Sequence, residues 1–286
     1  MNSPRVATRD EAVHARITEV HPLAGVRAGS ALVPVAGRLL AIQDDAFTAV
    51  WVDPLTRVTR PLVLLGRGGE LDKLSKPDFE SAFVHDGRAW ILGSGSRPGR
   101  CVLARIDPTR REAVVLNALP LFDAVERALG RRPNVEGAVP LPDRLRLFHR
   151  GPGRERSANF TVDVSLDVLN GAAPRVLDVA CYELGQVGST FLAFSDAVAL
   201  GRKHIAYLAV AEDTPDGIAD GAISGAAVGI IDDASVRWNA LTEPDGSPSV
   251  RKVEGVALDE KGGGWLLTDP DDPKRPAELC RVTLDF

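Results

Sequence analysis

Three glutamates stand at the head of look-alike segments: Glu80 opens ESAFVHDGRAWILGSG, Glu136 opens EGAVPLPDRLRLFHRG and Glu254 opens EGVALDEKGGGWLLTD. Carboxylates gathered at one place can move protons or hold a hard cation. Mutual repulsion raises their pKa values unless something compensates. One compensation is basic side chains, and Lys76, Arg131, Arg132, Arg150 and Lys252 all lie close by in sequence. The other is a divalent ion such as Ca²⁺, which accepts an irregular cage of oxygens. The second segment ends in His149-Arg150. His149 would serve as a general base if Glu136, Asp45 or Glu80 oriented it, with Arg150 or a cation stabilising a developing oxyanion. The plain alternative is that the glutamates cap strand ends and tie neighbouring elements together through Arg and Lys, with His149 a loop residue.

The elements that would gather these residues show as a repeat. Segments at Ser30 (SALVPVAGRLLAIQDD) and Ser195 (SDAVALGRKHIAYLAV) share the pattern, so starts near 30, 80, 136, 195 and 254 are separated by 50, 56, 59 and 59 residues. A turn residue falls seven positions after each start, at Gly37, Gly87, Asp143, Arg202 and Lys261. Each arm is too short for a helix and rich in Val, Ile, Leu and aromatics, so each segment reads as a β-hairpin. Ala-Gly, Asp-Gly and Pro-Asp suit the tight links. A third apolar run follows every hairpin (TAVWVDP, CVLARIDP, NFTVDVSLD, AAVGIID, AELCRVTL), and a fourth follows all but the last. The early segment HARITEV is a spare strand that would complete the final unit and remove its exposed edge. The expectation is one all-β domain over residues 1–286: a five-bladed β-propeller of four-stranded blades, closed by pairing its N-terminal strand with its C-terminal blade. Six blades are the alternative, but they need another inner hairpin and none is found. Leu119–Gly130 (LPLFDAVERALG) departs from the pattern and predicts a helical insertion, while Glu212–Gly225 reads as a long loop.

In such an architecture the inner strand starts, and the second strand ends, at one mouth of the central channel. That brings together Ser30, Glu80, Glu136, Ser195-Asp196 and Glu254 with Asp44-Asp45, Ser94, His149-Arg150, Glu212-Asp213 and Asp269. The candidate catalytic residues are therefore His149 and Arg150. The candidate ligand-binding residues are Asp45, Glu80, Glu136, Asp196, Glu254 and Asp269, and a metal would fall to Glu80, Glu136 and Glu254.

Bulk properties remove several classes. The chain has 286 residues, 44% hydrophobic and 26% charged, the balance of a globular protein rather than a disordered one. A net charge of −5 with scattered Arg and Lys argues against a nucleic-acid partner. No run is long and apolar enough to span a membrane, and the opening residues do not read as a secretory leader. Cys101, Cys181 and Cys280 lie far apart in apolar runs, as reduced thiols in a cytoplasmic protein would. Gly-Ser-Gly-Ser at 93–96 precedes a strand rather than a helix, so it is not a phosphate loop. The Asp269–Asp272 run lacks the later glycine and glutamate of an EF-hand.

Segments 134–151 (NVEGAVPLPDRLRLFHRG) and 252–273 (KVEGVALDEKGGGWLLTDPDDP) resemble the inner-strand openings of bacterial propellers of the phytase-like esterase, SdiA-regulated and gluconolactonase-type groups. The whole chain resembles a bacterial propeller family of unknown function allied to these. In gluconolactonase-type enzymes a glutamate at the start of an inner strand helps hold a divalent cation at the channel mouth. The resemblance implies that role for Glu80, Glu136 and Glu254. The Asn and Asp partner motifs of that family are missing here, except for Asp196 in FSDA. Two readings follow: a hydrolase of an ester, lactone or phosphoester, or a non-catalytic propeller that binds a small molecule or a protein.

Overall fold

The computed structural model describes residues 3–65, 76–109, 112–214, 221–259, 262–272 and 274–286. Its elements in chain order begin with β1 (Arg5–Val6), β2 (Thr8–Arg9) and β3 (His14–Pro22). A first four-stranded unit follows, β4 (Gly29–Val35), β5 (Arg38–Gln43), β6 (Thr48–Val52) and β7 (Thr59–Val63). The second is β8 (Phe79–His85), β9 (Arg88–Gly93), β10 (Val102–Asp107) and β11 (Glu112–Asn117). After helix α1 (Leu119–Leu129) comes the third, β12 (Val135–Pro140), β13 (Arg144–His149), β14 (Asn159–Ser165) and β15 (Val176–Glu183). A two-stranded ribbon, β16 (Gln186–Val187) and β17 (Thr190–Phe191), leads to the fourth. That unit is β18 (Ala193–Leu200), β19 (His204–Glu212), β20 (Ile223–Ile231) and β21 (Val236–Thr242). The last strands are β22 (Val253–Leu258), β23 (Gly263–Thr268) and β24 (Glu278–Asp285).

Local chemistry explains these elements. The links of the first two hairpins, Ala36-Gly37 and Asp86-Gly87, have positive φ at both residues, the type I′ geometry that matches strand twist. The fifth turn, at Lys261, lies outside the described residues. So do residues 215–220 of the Glu212–Gly225 stretch, whose two ends belong to β19 and β20. Helix α1 buries Leu121, Phe122, Val125 and Leu129 and stops at Gly130, which takes a left-handed conformation and donates its N–H to Glu126.

The first strands of the units pack side by side in a ring: β4 touches β8, β8 touches β12, β12 touches β18, β18 touches β22, and β22 touches β4. The apolar cores lie between consecutive units. Phe79 and Ile91 pack with the first unit, Trp90 and Phe160 meet around α1, Phe148 and Tyr207 join the third and fourth, and Val228 and Leu266 join the fourth and fifth. A fifth core sets Leu32 and Val50 against Leu267 and Leu279. The N-terminal segment runs along outer edges. β1 pairs in parallel with β15, β2 with β21, and β3 lies antiparallel to β24 from Glu278↔Pro22 to Asp285↔His14. β3 also pairs in parallel with β21, so the fourth and fifth units share one continuous sheet. Nothing in the repeat forecasts the outer strands β1 and β2.

Each ring strand opens on a β-bulge, and the extra residue is in every case the first of the repeat. The register skips Ser30, Glu80, Glu136, Ser195 and Glu254. A bulge re-aims the side chain it carries and bends the strand. In the third and fifth units the residue after it is glycine. A Cβ on Gly255 would come within 2.7 Å of the Leu32 backbone nitrogen, and one on Gly137 within 3.0 Å of that of Ala197. The Glu-Gly pair is thus one device: Glu is turned out of the ladder and Gly lets the next ring strand approach. Gly255→Ala should cost about 1–3 kcal/mol, the usual penalty of overpacking. A shift of the urea midpoint at constant m-value checks it, and an unshifted midpoint would remove the close-approach argument.

Candidate functional site

The bulged residues divide by chemistry. The two serines fasten neighbours: Ser30 Oγ donates to the Phe79 carbonyl at 2.5 Å and Ser195 Oγ to the Val253 carbonyl at 2.7 Å. Each carbonyl belongs to the residue just before a bulged glutamate. The three glutamates instead turn into a buried charged centre. At its middle Arg150, on the residue after β13, meets Glu136 (3.6 Å), Glu254 (3.2 Å) and Glu212, which ends β19. The guanidinium therefore joins the third, fourth and fifth units. Burial opposes its charge, but Glu136, Glu254 and Glu212 together carry its pKa above the usual value.

Residues two positions before each glutamate, just ahead of its strand, complete the set. Asn134 Nδ2 donates to Glu136 Oε1 at 2.7 Å. Lys252 Nζ lies 3.5 Å from Glu254, 3.4 Å from Asp269 and 2.7 Å from Asp271. Asp78, held at φ +54°, receives Lys76 (3.0 Å) and Arg100 (2.6 Å), and the Ser94 hydroxyl donates to it. Lys76 also pairs with Asp44, just beyond β5. Asp196 is buried and accepts the backbone N–H of Ala197 (2.7 Å) and of Val256 (2.8 Å), tying β18 to β22.

Eight carboxyl groups (Asp44, Asp78, Glu80, Glu136, Asp196, Glu212, Glu254, Asp269) thus face four cations (Lys76, Arg100, Arg150, Lys252). Burial first, and the neighbouring acids after it, raise the pKa values of these groups. Burial, then Glu136, Asp78 and Asp44, push Glu80 well above the carboxylate range. Burial likewise raises Asp196 despite its two N–H donors, and raises Glu136 against the pull of Arg150. Glu254 is lifted to about 7 and Asp269 to about 8 by burial, against Lys252.

The sequence-derived candidates separate accordingly. Glu80, Glu136, Asp196, Glu254, Asp269 and Arg150 belong to this charged centre. Asp45 instead pairs with Arg27. His149 turns into the third unit beside Phe160, accepts the Asn134 N–H on Nδ1 at 2.8 Å, and is held neutral by burial with a pKa of about 3. Of the expected compensating bases, Arg131 and Arg132 go to Glu155 and Glu126, leaving Lys76, Arg150 and Lys252. Glu136 and Glu254 are both occupied by Arg150, so the set Glu80, Glu136 and Glu254 does not fit a cation. The ligand atoms of Asp44, Asp78 and Glu80, all within 4.8 Å of one another, form a group that could hold a metal ion. Asp78 and Arg100 escaped sequence reasoning. The first could have been found from spacing, since a polar residue stands two positions before each glutamate in Asp78-x-Glu80, Asn134-x-Glu136 and Lys252-x-Glu254.

Residues 25–284 match the family of unknown function DUF6929. The chain belongs to that family. No curated protein matches it. Among solved structures it is similar to the glutaminyl cyclase of Myxococcus xanthus, with 12% identity, a TM-score of 0.56 and 99% of each chain covered. It is also similar to the PQQ-bound aldose sugar dehydrogenase of Streptomyces coelicolor, with 10% identity, a TM-score of 0.54, and 97% of this chain and 100% of that one covered. A glycoside hydrolase described as putative, from Parabacteroides distasonis, gives 10% identity, a TM-score of 0.51, and coverage of 91% and 88%. These likenesses concern the fold, which is all-β and propeller-like. No helix among the described residues is long and apolar enough to cross a membrane.

Two outcomes are expected. Arg150→Met strands three buried carboxylates and should cost about 3–5 kcal/mol, as removal of one partner from a buried ion cluster does; an unchanged denaturation midpoint would show that the guanidinium organises nothing. Glu254 and Asp269 hold protons more tightly folded than unfolded, so stability should fall as pH rises from about 4 to about 8. Melting temperatures across that range check the sign, and the double variant Glu254→Gln, Asp269→Asn should flatten the slope.

Proposed function

We propose that the five units are the blades of a closed propeller, with β3 completing the last, and that the protein binds a small polar molecule, neutral or cationic, at the acidic mouth of its channel. Supporting the blade count are the ring of first strands and the five inter-unit cores; supporting the closure is the β3–β24 pairing. One observation carries the binding reading: every unit contributes at least one carboxyl group, buried or half-buried, to a single centre where acids outnumber bases. Buried ion clusters are commonly no more stable than well-packed apolar residues, so architecture alone does not call for one. A surplus of carboxylates also selects by charge. It repels phosphoesters and welcomes amines, hydroxyl-rich molecules or a hard cation such as Ca²⁺. The three free cysteines support a reducing, cytoplasmic setting.

A second reading, hydrolysis of a neutral ester or lactone, is favoured by Glu254. Its pKa of about 7 suits a general base at neutral pH. Arg150, clasped by three carboxylates, would act there as a positioning residue for Glu254, and His149 takes no part.

The test is a thermal-shift panel on EDTA-treated protein with polyamines, amino sugars, neutral sugars and lactones, and sugar phosphates. Cationic or neutral members should raise the melting temperature by mass action and phosphorylated ones should not. Stabilisation by sugar phosphates alone, or by nothing in the panel, would sink the binding reading. Acid release from lactones and p-nitrophenyl acetate tests the second: Glu254→Gln should cut turnover by about 100-fold or more if this group is the base. Turnover unchanged in that variant, or absent from the unsubstituted protein, removes it.

A further inference from the structure

At the junction of the first and second units three carboxylates converge from separate stretches of chain. Asp44 lies just beyond β5, Asp78 just before β8, and Glu80 is the bulged residue of β8. Their ligand atoms lie within 4.8 Å of one another. Elsewhere in the centre every carboxylate has its partner: Glu136 has Asn134 and Arg150, Glu254 has Arg150 and Lys252, and Asp196 has two backbone N–H groups. Glu80 differs. It is only 9% exposed, yet among the described residues its carboxyl group makes no hydrogen bond and no ion pair. Asp44 Oδ1 is likewise buried with no hydrogen-bond partner. Two neighbouring carboxyl groups with unused oxygens thus stand side by side, with Lys76 as their nearest compensating charge.

We propose that Asp44, Asp78 and Glu80 form a divalent-cation site, an assignment that rests on the channel mouth being a ligand site and names a cation as part of what it binds. All the donors are carboxylate oxygens, the hard ligands that suit Ca²⁺, Mg²⁺ or Mn²⁺; there is no imidazole or thiolate to favour Zn²⁺ or Cu²⁺. Lys76 stands at the same place. Its ammonium pairs with Asp44 Oδ2 and lies 3.0 Å from Asp78 Oδ1, so it occupies two of the oxygens an ion would take. Lys76 and Arg100 supply two positive charges against three acids. Entry of a divalent ion exchanges the ammonium for a doubly charged centre that Glu80 can also reach. Lys76 is thus the competitor of the ion, not its ligand.

Calorimetric titration of full-length, EDTA-stripped protein with CaCl₂, MgCl₂ and MnCl₂ tests this, together with anomalous scattering from Mn²⁺-soaked crystals. One equivalent should bind with at least one of the three ions, and the anomalous peak should lie among the three carboxylates. Glu80→Gln and Asp44→Asn should each weaken binding by about tenfold or more. Lys76→Met should tighten it, an effect no purely structural role would produce. Asp213→Asn, in an exposed pair with Arg154, should leave it unchanged. The assignment falls if none of the ions binds, if Glu80→Gln binds as the unsubstituted protein does, or if the peak lies elsewhere. The small-molecule panel is run without metal, so either result can fail while the other stands.

Discussion

A guanidinium surrounded by three buried carboxylates holds the molecule's polar centre in place. Arg150 draws Glu136 from its own unit, Glu212 from the next and Glu254 from the one after. Removed from water, each of those charges would cost several kcal/mol without its partner. The arrangement is therefore cooperative: no member can leave without stranding the others. It also explains why the centre divides. Around Arg150 and Lys252 every carboxylate has a partner, whereas at Asp44, Asp78 and Glu80 some carboxyl oxygens have none, and that is where an incoming charge would be felt.

The bulges make this centre compatible with a sheet. A ring strand must keep its ladder while turning one polar side chain out of it, and a single extra residue achieves both. Because the same bulge occurs in all five units, the residue type at one position sets what that unit contributes. Serine fastens the adjacent strand through its carbonyl; glutamate adds charge. What each unit contributes is written at that position, and in the third and fifth units the glycine after it lets the next ring strand approach.

Much of this was legible because it is periodic. Five starts at near-equal spacing fixed the hairpins, the third and fourth strands and the pairing expected of HARITEV, and each of those segments forms a strand. The helix at Leu119–Leu129 was readable from its apolar face and its glycine stop. What spacing cannot convey is which way a side chain turns once its strand ends. His149 and Arg150 are adjacent, yet one packs on Phe160 within a sheet and the other enters the centre. Asp44 and Asp45 part in the same way, one to Lys76 and one to Arg27. Arg100 sits on a short 3-10 turn after β9 and meets Asp78 only through the folded loop, a contact no pattern encodes. The outer strands β1 and β2 are two residues each, too short for any periodicity to register.

The N-terminal strap has a consequence for how the protein is made. Residues 5–22 lie against strands that include β24, which is synthesised long after β3. While translation proceeds, β3 has no antiparallel partner, and its buried positions Ala15 and Ile17 stay open to other chains. Folding of the fifth unit is thereby deferred until β24 has been made, a delay that topologies built on distant pairings generally impose. A nascent chain of this kind gains from being shielded early, and a stalled ribosome would leave behind an intermediate with a hungry sheet edge rather than a smaller working protein.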